Sequence, residues 1–557
     1  MKKIQITRNW IIPTVYFFLT FFLERISFSF SWNNVAFRTS IPMNQVIGDK
    51  TEMVMTYVIS KMFAALILVV AWKIILAIRG RYLQKKDMWL FYAIFIVGLI
   101  IGIMLYPDSM GFEVDNYCTY AMATRFLPTY WHSIYTGAFY AACLMVIPHP
   151  IGIFIIQWLF FISVVAYIYT GVAKMVSGGR LKYLVFVIFA LPETYDLIFN
   201  AYRNNLYTIV CLFYFSYIFF AYADKKLITK NEQIIICLLS AFLMVWRSEG
   251  IFIGTGGMVL VLYLVCIKDK KTIISMVCLL VCSFFILSEI QGLGSKKYYG
   301  KDYTIVSSTN VLQSILNNPD AKLDTEDLYK LEAVVPVQII KENGIQGYRD
   351  YNYTVGRIDG NQSFASKQNA DNYIKGYHKI VFDNLGDYIG KQFGTFLYSI
   401  DYPFIDKSFT YEGNEYVELN HYEDIRNAEG KEQLEAGFIT KQWKSFPIRQ
   451  IVSDKILSFY AGWKKIMSES HLGTLYKLLP LLGIVEVLLY EIYSVIRKRK
   501  YSIYSLMISI IIIVELAAII AFMPEARAYY LYPMIYTSYL IILFRTLVFN
   551  DSKEGAN

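Results

Sequence analysis

At 557 residues, 56% of them hydrophobic and with a mean hydropathy of +0.40, the chain is too apolar for a soluble globule of its length. Only 17% of residues are charged, and the net charge of +9 comes from short Lys/Arg clusters between apolar runs, with no basic stretch interleaved with aromatics that would form a nucleic-acid groove. The seven cysteines lie mostly in apolar runs and include no CxxC pair, which argues against a disulfide framework and against structural zinc.

The N-terminus sets Lys2, Lys3 and Arg8 ahead of an apolar run from Trp10 to Leu23. Glu24-Arg25 follow without a small-residue cleavage site, which predicts an uncleaved first span. Crossing ~30 Å of hydrocarbon takes about 20 apolar residues, and about twelve stretches are candidates. They are Trp10–Phe30, Met53–Ile78, Met88–Tyr106, Pro150–Thr170, Tyr183–Phe199, Leu206–Ala221, Ile234–Trp246, Ile251–Ile267, Ile273–Glu289, Leu472–Ile496, Ile503–Phe522 and Tyr530–Phe549. The fold class expected is therefore an all-α polytopic membrane protein. Basic clusters at Arg79–Lys86, Lys174–Lys182, Lys225–Lys230, Lys268–Lys271 and Arg497–Lys500 mark cytoplasmic loops. They all fall inside only if the short apolar piece Ile134–Ile147 is re-entrant or interfacial and does not cross. Both termini are then cytoplasmic, and the compact acidic and Arg-containing motifs face outward.

This gives an N-terminal transmembrane module over 1–290 (about nine spans) with an outer loop at 107–149. A large extracytoplasmic α or α+β segment follows over 291–471, then a C-terminal module over 472–549 and a cytoplasmic tail over 550–557. Within the outer segment, Ile374, Tyr377, Val381, Leu385, Ile389, Phe393 and Leu397 recur at helical spacing.

The outer loop reads YPDSMGFEVDNYCTYAMATRFLP and carries Asp108, Glu113 and Asp115. A carboxylate that takes a proton from a hydroxyl accelerates group transfer by ~10²–10⁴-fold. Asp108 reads as loop solvation. Glu113 and Asp115 are two apart, so both face one site only on an extended backbone or through a shared divalent cation, Mg or Mn. His149-Pro150 opens the next span, where the histidine caps the interface or contacts a substrate. Three outward motifs then pair Arg with nearby acid. PETYDLIFNAYRNNLY holds Glu193, Asp196, Arg203 and Asn204, WRSEG holds Arg247 and Glu249, and MPEARAYYLYP holds Glu525 and Arg527. Each alone reads as a snorkelling or intra-turn Arg, while together they suit a lipid phosphate. Lys61, Glu486 and Glu515 lie within spans, where a charge either pairs or lines a cavity.

The motifs YPDSMGFEVD…YAMA, HP at the head of a span, RNNLY, RSEGI, PEARAYYLYP and the outer stretch SSTNVLQSILNNPDAKLDTEDLYKLEAV give the chain a resemblance. It resembles the GT-C class of polytopic glycosyltransferases and, within that, a Gram-positive bacterial family of membrane proteins grouped with them. The resemblance implies a GT-C-like fold and transfer from a polyprenyl-phosphate-linked sugar to a cell-surface glycan or teichoic-acid-type acceptor at the outer membrane face. It places the catalytic acid on Glu113, where the family favours aspartate, with Asp115 close by. Inversion by single displacement is expected, with the Arg residues holding the departing phosphate. The rival readings are a polysaccharide polymerase, a lipid-linked-sugar flippase or transporter relying on Glu486 and Glu515, and a scaffold that binds wall polymer through the outer segment.

Overall fold

The computed structural model describes residues 2–28, 36–37, 46–47, 50–79, 85–105, 119–120, 122–124, 126–127, 133–149, 151–176, 179–190, 192–199, 203–224, 228–247, 249–265, 270–292, 302–344, 366–402, 447–498, 502–524 and 526–554. Among these residues the chain is helical apart from a two-residue antiparallel pair, Ala36–Phe37 (β1) with Val46–Ile47 (β2). The helices are Lys2–Ser27 (α1), Lys50–Arg79 (α2), Lys85–Leu105 (α3), Ile134–Val146 (α4), Ile151–Met175 (α5), Leu184–Ile188 (α6), Pro192–Phe199 (α7), Arg203–Ala223 (α8), Lys230–Trp246 (α9), Gly250–Val265 (α10) and Lys270–Gln291 (α11). Asp302–Leu316 (α12), Thr325–Glu332 (α13), Lys367–Asp383 (α14) and Leu385–Ser399 (α15) form the polar segment, with a further helical stretch over 337–344. Pro447–Glu469 (α16), Leu472–Ile496 (α17), Ile503–Phe522 (α18) and Tyr532–Glu554 (α19) complete the chain.

Seven of these helices, α2, α3, α5, α8, α11, α17 and α18, are long and apolar enough to cross a membrane. In hydrocarbon every backbone polar group must be satisfied within the segment, and a continuous helix does this. Small residues let the helices approach closely. A Cβ on Gly102 would come within 2.1 Å of the Phe154 ring, and one on Gly254 within 2.5 Å of the Ser240 carbonyl oxygen.

The short apolar piece becomes α4, and all of its residues are buried, so the bundle encloses it, as a re-entrant piece would be and one lying on the surface at the interface would not. It is apolar all round and has no wet face to offer. Ser133 Oγ donates to Gln291 Oε1 at 2.9 Å and the Tyr135 hydroxyl to the Leu287 carbonyl at 2.7 Å, which ties its start to the last turns of α11. The Tyr16 hydroxyl donates to the Val146 carbonyl at 2.8 Å and ties its end to α1. The expected span Tyr183–Phe199 is broken into a 3-10 turn at Arg180–Tyr183 followed by α6 and α7. Pro192 has no N–H to continue a helix from the preceding residues, and it suits the first turn of α7. The Tyr476 hydroxyl lies 2.6 Å from the Val187 carbonyl and 3.0 Å from that of Ile188, which satisfies acceptors at the end of α6.

The polar segment has its own small core, in which Ile305, Leu312, Ile315, Leu331, Tyr373 and Ile380 are buried. Burial opposes ionisation of Asp327, but the ammonium groups of Lys330 and Lys379, at 2.9 and 3.0 Å, hold its carboxyl below the usual range. The periodic stretch is two helices. It breaks at Asn384, whose side-chain amide donates to the carbonyls of Lys322 and Ile380. The second of them, α15, docks on α18 through Gln392 Nε2, which donates to the Ala521 carbonyl at 2.8 Å. Lys391 is buried beside it, and burial lowers its ammonium to about 8.

Two predictions follow from this packing. Gly254→Val should cost on the order of 1–3 kcal/mol by overpacking against backbone. Gly462→Ala, with open space around it, should be neutral or stabilising, and thermal unfolding in detergent separates the two outcomes. For Lys391, the unfolded chain holds a proton up to about pH 10.4, while the folded chain releases it near 8. The unfolded state binds more protons across that window, so stability rises with pH through it, by on the order of 3 kcal/mol at most. Lys391→Met should abolish that rise and be the more stable protein at neutral pH. An unchanged pH profile in the variant counts against the assignment.

Candidate functional site

The site is built on a tight connection between antiparallel helices. α9 ends at Trp246, Arg247 turns the backbone extended at φ −134° and ψ 147°, and α10 begins at Gly250. The Gly250 N–H donates to the Arg247 carbonyl at 3.1 Å. No other residue fits this corner, because a Cβ on Gly250 would fall 2.1 Å from the Leu243 carbonyl oxygen and 2.7 Å from the Tyr207 hydroxyl. The turn drives Arg247 inward until its side chain is only 6% exposed.

A buried guanidinium must be paired and surrounded by polarisable groups, because its desolvation costs several kcal/mol. Arg247 hydrogen-bonds Glu249 across the turn. Its Cζ lies 5.5 Å from the centroid of the Tyr207 ring and 5.7 Å from that of Tyr530, within reach of cation–π attraction. Tyr207 belongs to the RNNLY stretch and Tyr530 to PEARAYYLYP. Motifs far apart in sequence thus meet on one guanidinium. Trp246, packed edge-on against Tyr207 at 5.9 Å, donates its indole N–H to Thr136 Oγ1 at 3.0 Å and joins α4 to the same site.

Beneath this mouth lies a polar interior. Asn204, Tyr207 and Cys211 recur at three- and four-residue spacing on α8 and are fully buried. Among the described residues the Asn204 amide oxygen and nitrogen have no hydrogen-bond partner, and neither do the carboxyl oxygens of Glu515 on α18, which is also fully buried. Arg247 and Glu515 sense each other's charge without an ion-pair contact. Unsatisfied polar groups at this depth point to a ligand or ordered water, since each costs about 1–3 kcal/mol if left alone.

The remaining expected residues divide. Arg203, half-buried, starts α8, and Arg527, half-buried, stands over the Tyr529 ring at 5.6 Å just ahead of the turn that holds Tyr530. Both lie within a few residues of the groups that touch Arg247. His149 Nδ1 accepts the Ile151 N–H at 2.9 Å and caps the start of α5. Asp108, Glu113, Asp115 and Glu525 lie outside the described residues, and with Glu113 and Asp115 the expected place for a divalent cation. Among the described residues no group of three or more His, Cys, Asp or Glu gathers to hold a metal. Of the charges within spans, Lys61 pairs with Glu24 at 2.7 Å, and Glu486 is exposed on the outer face of α17.

Sequence reasoning overlooked a second buried node. Lys477 on α17 reaches Glu193 of α7 at 3.0 Å and also Asp401, just past α15, and so joins the broken helix to the polar segment. The signal for it was the same as for Lys61, a lone cation in an apolar run. Asn310 of α12 also donates to the Pro524 carbonyl at 3.0 Å, so the polar segment sits at the end of the bundle where Arg247 and Arg527 lie.

No protein-family model, curated protein or solved structure matches the chain.

The pair at the turn is testable by a double-mutant cycle. Glu249→Ala removes the carboxylate that faces a buried guanidinium and should cost about 3 kcal/mol in thermal unfolding, while Arg247→Met in the same background should recover most of that loss. Additive losses would mean that the two side chains do not act as a pair.

Proposed function

We propose that the chain is a GT-C-like membrane enzyme of about twelve spans that moves a sugar from a polyprenyl-phosphate donor to a cell-surface glycan or teichoic-acid-type acceptor on the extracytoplasmic face. The observation that carries this reading is the convergence on Arg247. A buried guanidinium lies between the rings of Tyr207 and Tyr530, with Arg203 and Arg527 close by in the chain, under a polar segment. Guanidinium forks match phosphate oxygens, and the apolar flanks of the bundle suit a polyprenyl tail.

In this reading Glu113 or Asp115 takes the proton from the acceptor hydroxyl as its oxygen attacks the anomeric carbon. The bond from that carbon to the phosphate oxygen breaks on the opposite face, with inversion, and the polyprenyl phosphate leaves with the electron pair. Arg247 and its neighbours stabilise the negative charge on the leaving group. Losing one such donor typically costs ~10²–10³ in rate.

A second reading rests on Glu515, whose buried carboxyl oxygens have no hydrogen-bond partner among the described residues, and takes the chain as a proton-coupled transporter of lipid-linked sugars. One experiment separates the two. The purified protein is given polyprenyl-phosphate-linked sugars and candidate acceptors, alone or in proteoliposomes, and wild type is compared with Glu113→Gln, Asp115→Asn, Arg247→Gln and Glu515→Gln. Enzyme chemistry predicts transfer that falls ~10²–10⁴-fold in one carboxylate variant and ~10²-fold or more in Arg247→Gln. Full transfer by the Glu113→Gln/Asp115→Asn double variant removes them as the base. Flux without transfer, lost in Glu515→Gln, establishes the transporter.

A further inference from the structure

A cavity of about 700 Å³ lies at the end of the bundle opposite Arg247, among α2, α3, α5 and α8, and touches none of the residues placed at the Arg247 site. Its volume falls in the ~300–1,000 Å³ range of small-molecule sites. Its walls are mainly apolar, formed by side chains such as Phe91, Phe95 and Phe220. The serine and threonine hydroxyls that line it are turned into their own helices, Ser163 Oγ donating to the Leu159 carbonyl at 2.6 Å and Thr170 Oγ1 to the Ala166 carbonyl at 2.7 Å. The rim also carries charge. Lys73 and Lys174 are exposed there and have no ion-pair partner among the described residues, against a single carboxylate, Asp224.

The aromatic residues fix the level of the cavity. Tyr92 and Tyr167 line it, and exposed Trp89 packs against Tyr92 at 6.0 Å, the composition found where a bilayer meets water. An apolar slot at headgroup level with a net cationic rim matches one kind of molecule, an amphiphile with a long apolar tail and a negatively charged phosphodiester head. We propose that this cavity is a binding site for an anionic glycerophospholipid of the adjoining leaflet, its phosphate held between Lys73 and Lys174 and an acyl chain lying along α5. The site is separate from the Arg247 mouth and does not depend on the reaction assigned there.

Lipid retention tests it. The full-length protein is equilibrated in nanodiscs of phosphatidylcholine doped with phosphatidylglycerol or with polyprenyl phosphate, released into mild detergent, and weighed by native mass spectrometry. Wild type should retain phosphatidylglycerol in preference to both other lipids. Lys73→Gln and Lys174→Gln should each lower that retention about five-fold. Ser163→Trp, which fills the slot and leaves both lysines, should abolish it, so the outcome does not hang on the lysine variants folding. Equal retention of phosphatidylglycerol and phosphatidylcholine by wild type overturns the proposal, as does preferential retention of polyprenyl phosphate. Undiminished retention by Ser163→Trp overturns it as well.

Discussion

A guanidinium cannot be taken out of water without compensation, and the architecture around Arg247 supplies it from several helices at once. Glu249 balances the charge across a turn only a glycine can close, and the Tyr207 and Tyr530 rings present their faces to it. Three separated parts of the chain are thereby held in register at one end of the bundle. Replacing the arginine by an apolar residue would be an easier way to fill that space, because a buried charge is a poor stabiliser. The proposed anionic ligand would account for its presence.

The polar segment is coupled to the same end by contacts of ordinary hydrogen-bond chemistry. Asn310 reaches the Pro524 carbonyl, Gln392 reaches that of Ala521, and Lys477 bridges Glu193 and Asp401. The last of these also reaches the break between α6 and α7. A helix end is tolerated where neighbouring groups re-satisfy its backbone, and the Tyr476 hydroxyl does so at the end of α6. The two ends of α8 illustrate the division of the molecule. Its first turns carry Asn204 and Tyr207 at the arginine mouth, and its last residues reach the lysine-rimmed cavity through Phe220 and Asp224.

Much of this was legible in the sequence, and the reasons for the rest are physical. Long apolar runs fixed the helical class, because hydrophobicity over a bilayer's thickness is a strong and local signal. WRSEG was readable as a turn with an arginine held by its own glutamate, since both partners lie within three residues. What could not be read was which aromatic faces meet that arginine, because Tyr207 and Tyr530 are brought together only by tertiary packing. The helical period over 374–397 was visible, but not the stop at Asn384, whose side chain ends the helix by bonding to Lys322 and Ile380 carbonyls. Lys61 was seen as a charge needing a partner, and its partner, Glu24, lies on a different helix. Pro192 signalled a turn although it lay inside the expected span Tyr183–Phe199, and α7 starts at it.

The central claim is that a lipid phosphate docks beside Arg247. Photo-crosslinking with a polyprenyl phosphate carrying a diazirine next to its phosphate tests it most directly, with adducts mapped by peptide mass spectrometry. The account predicts adducts on Tyr207, Trp246 or Tyr530 that disappear in Arg247→Gln. Adducts confined to other helices, or labelling of those three residues that persists without the arginine, would contradict it.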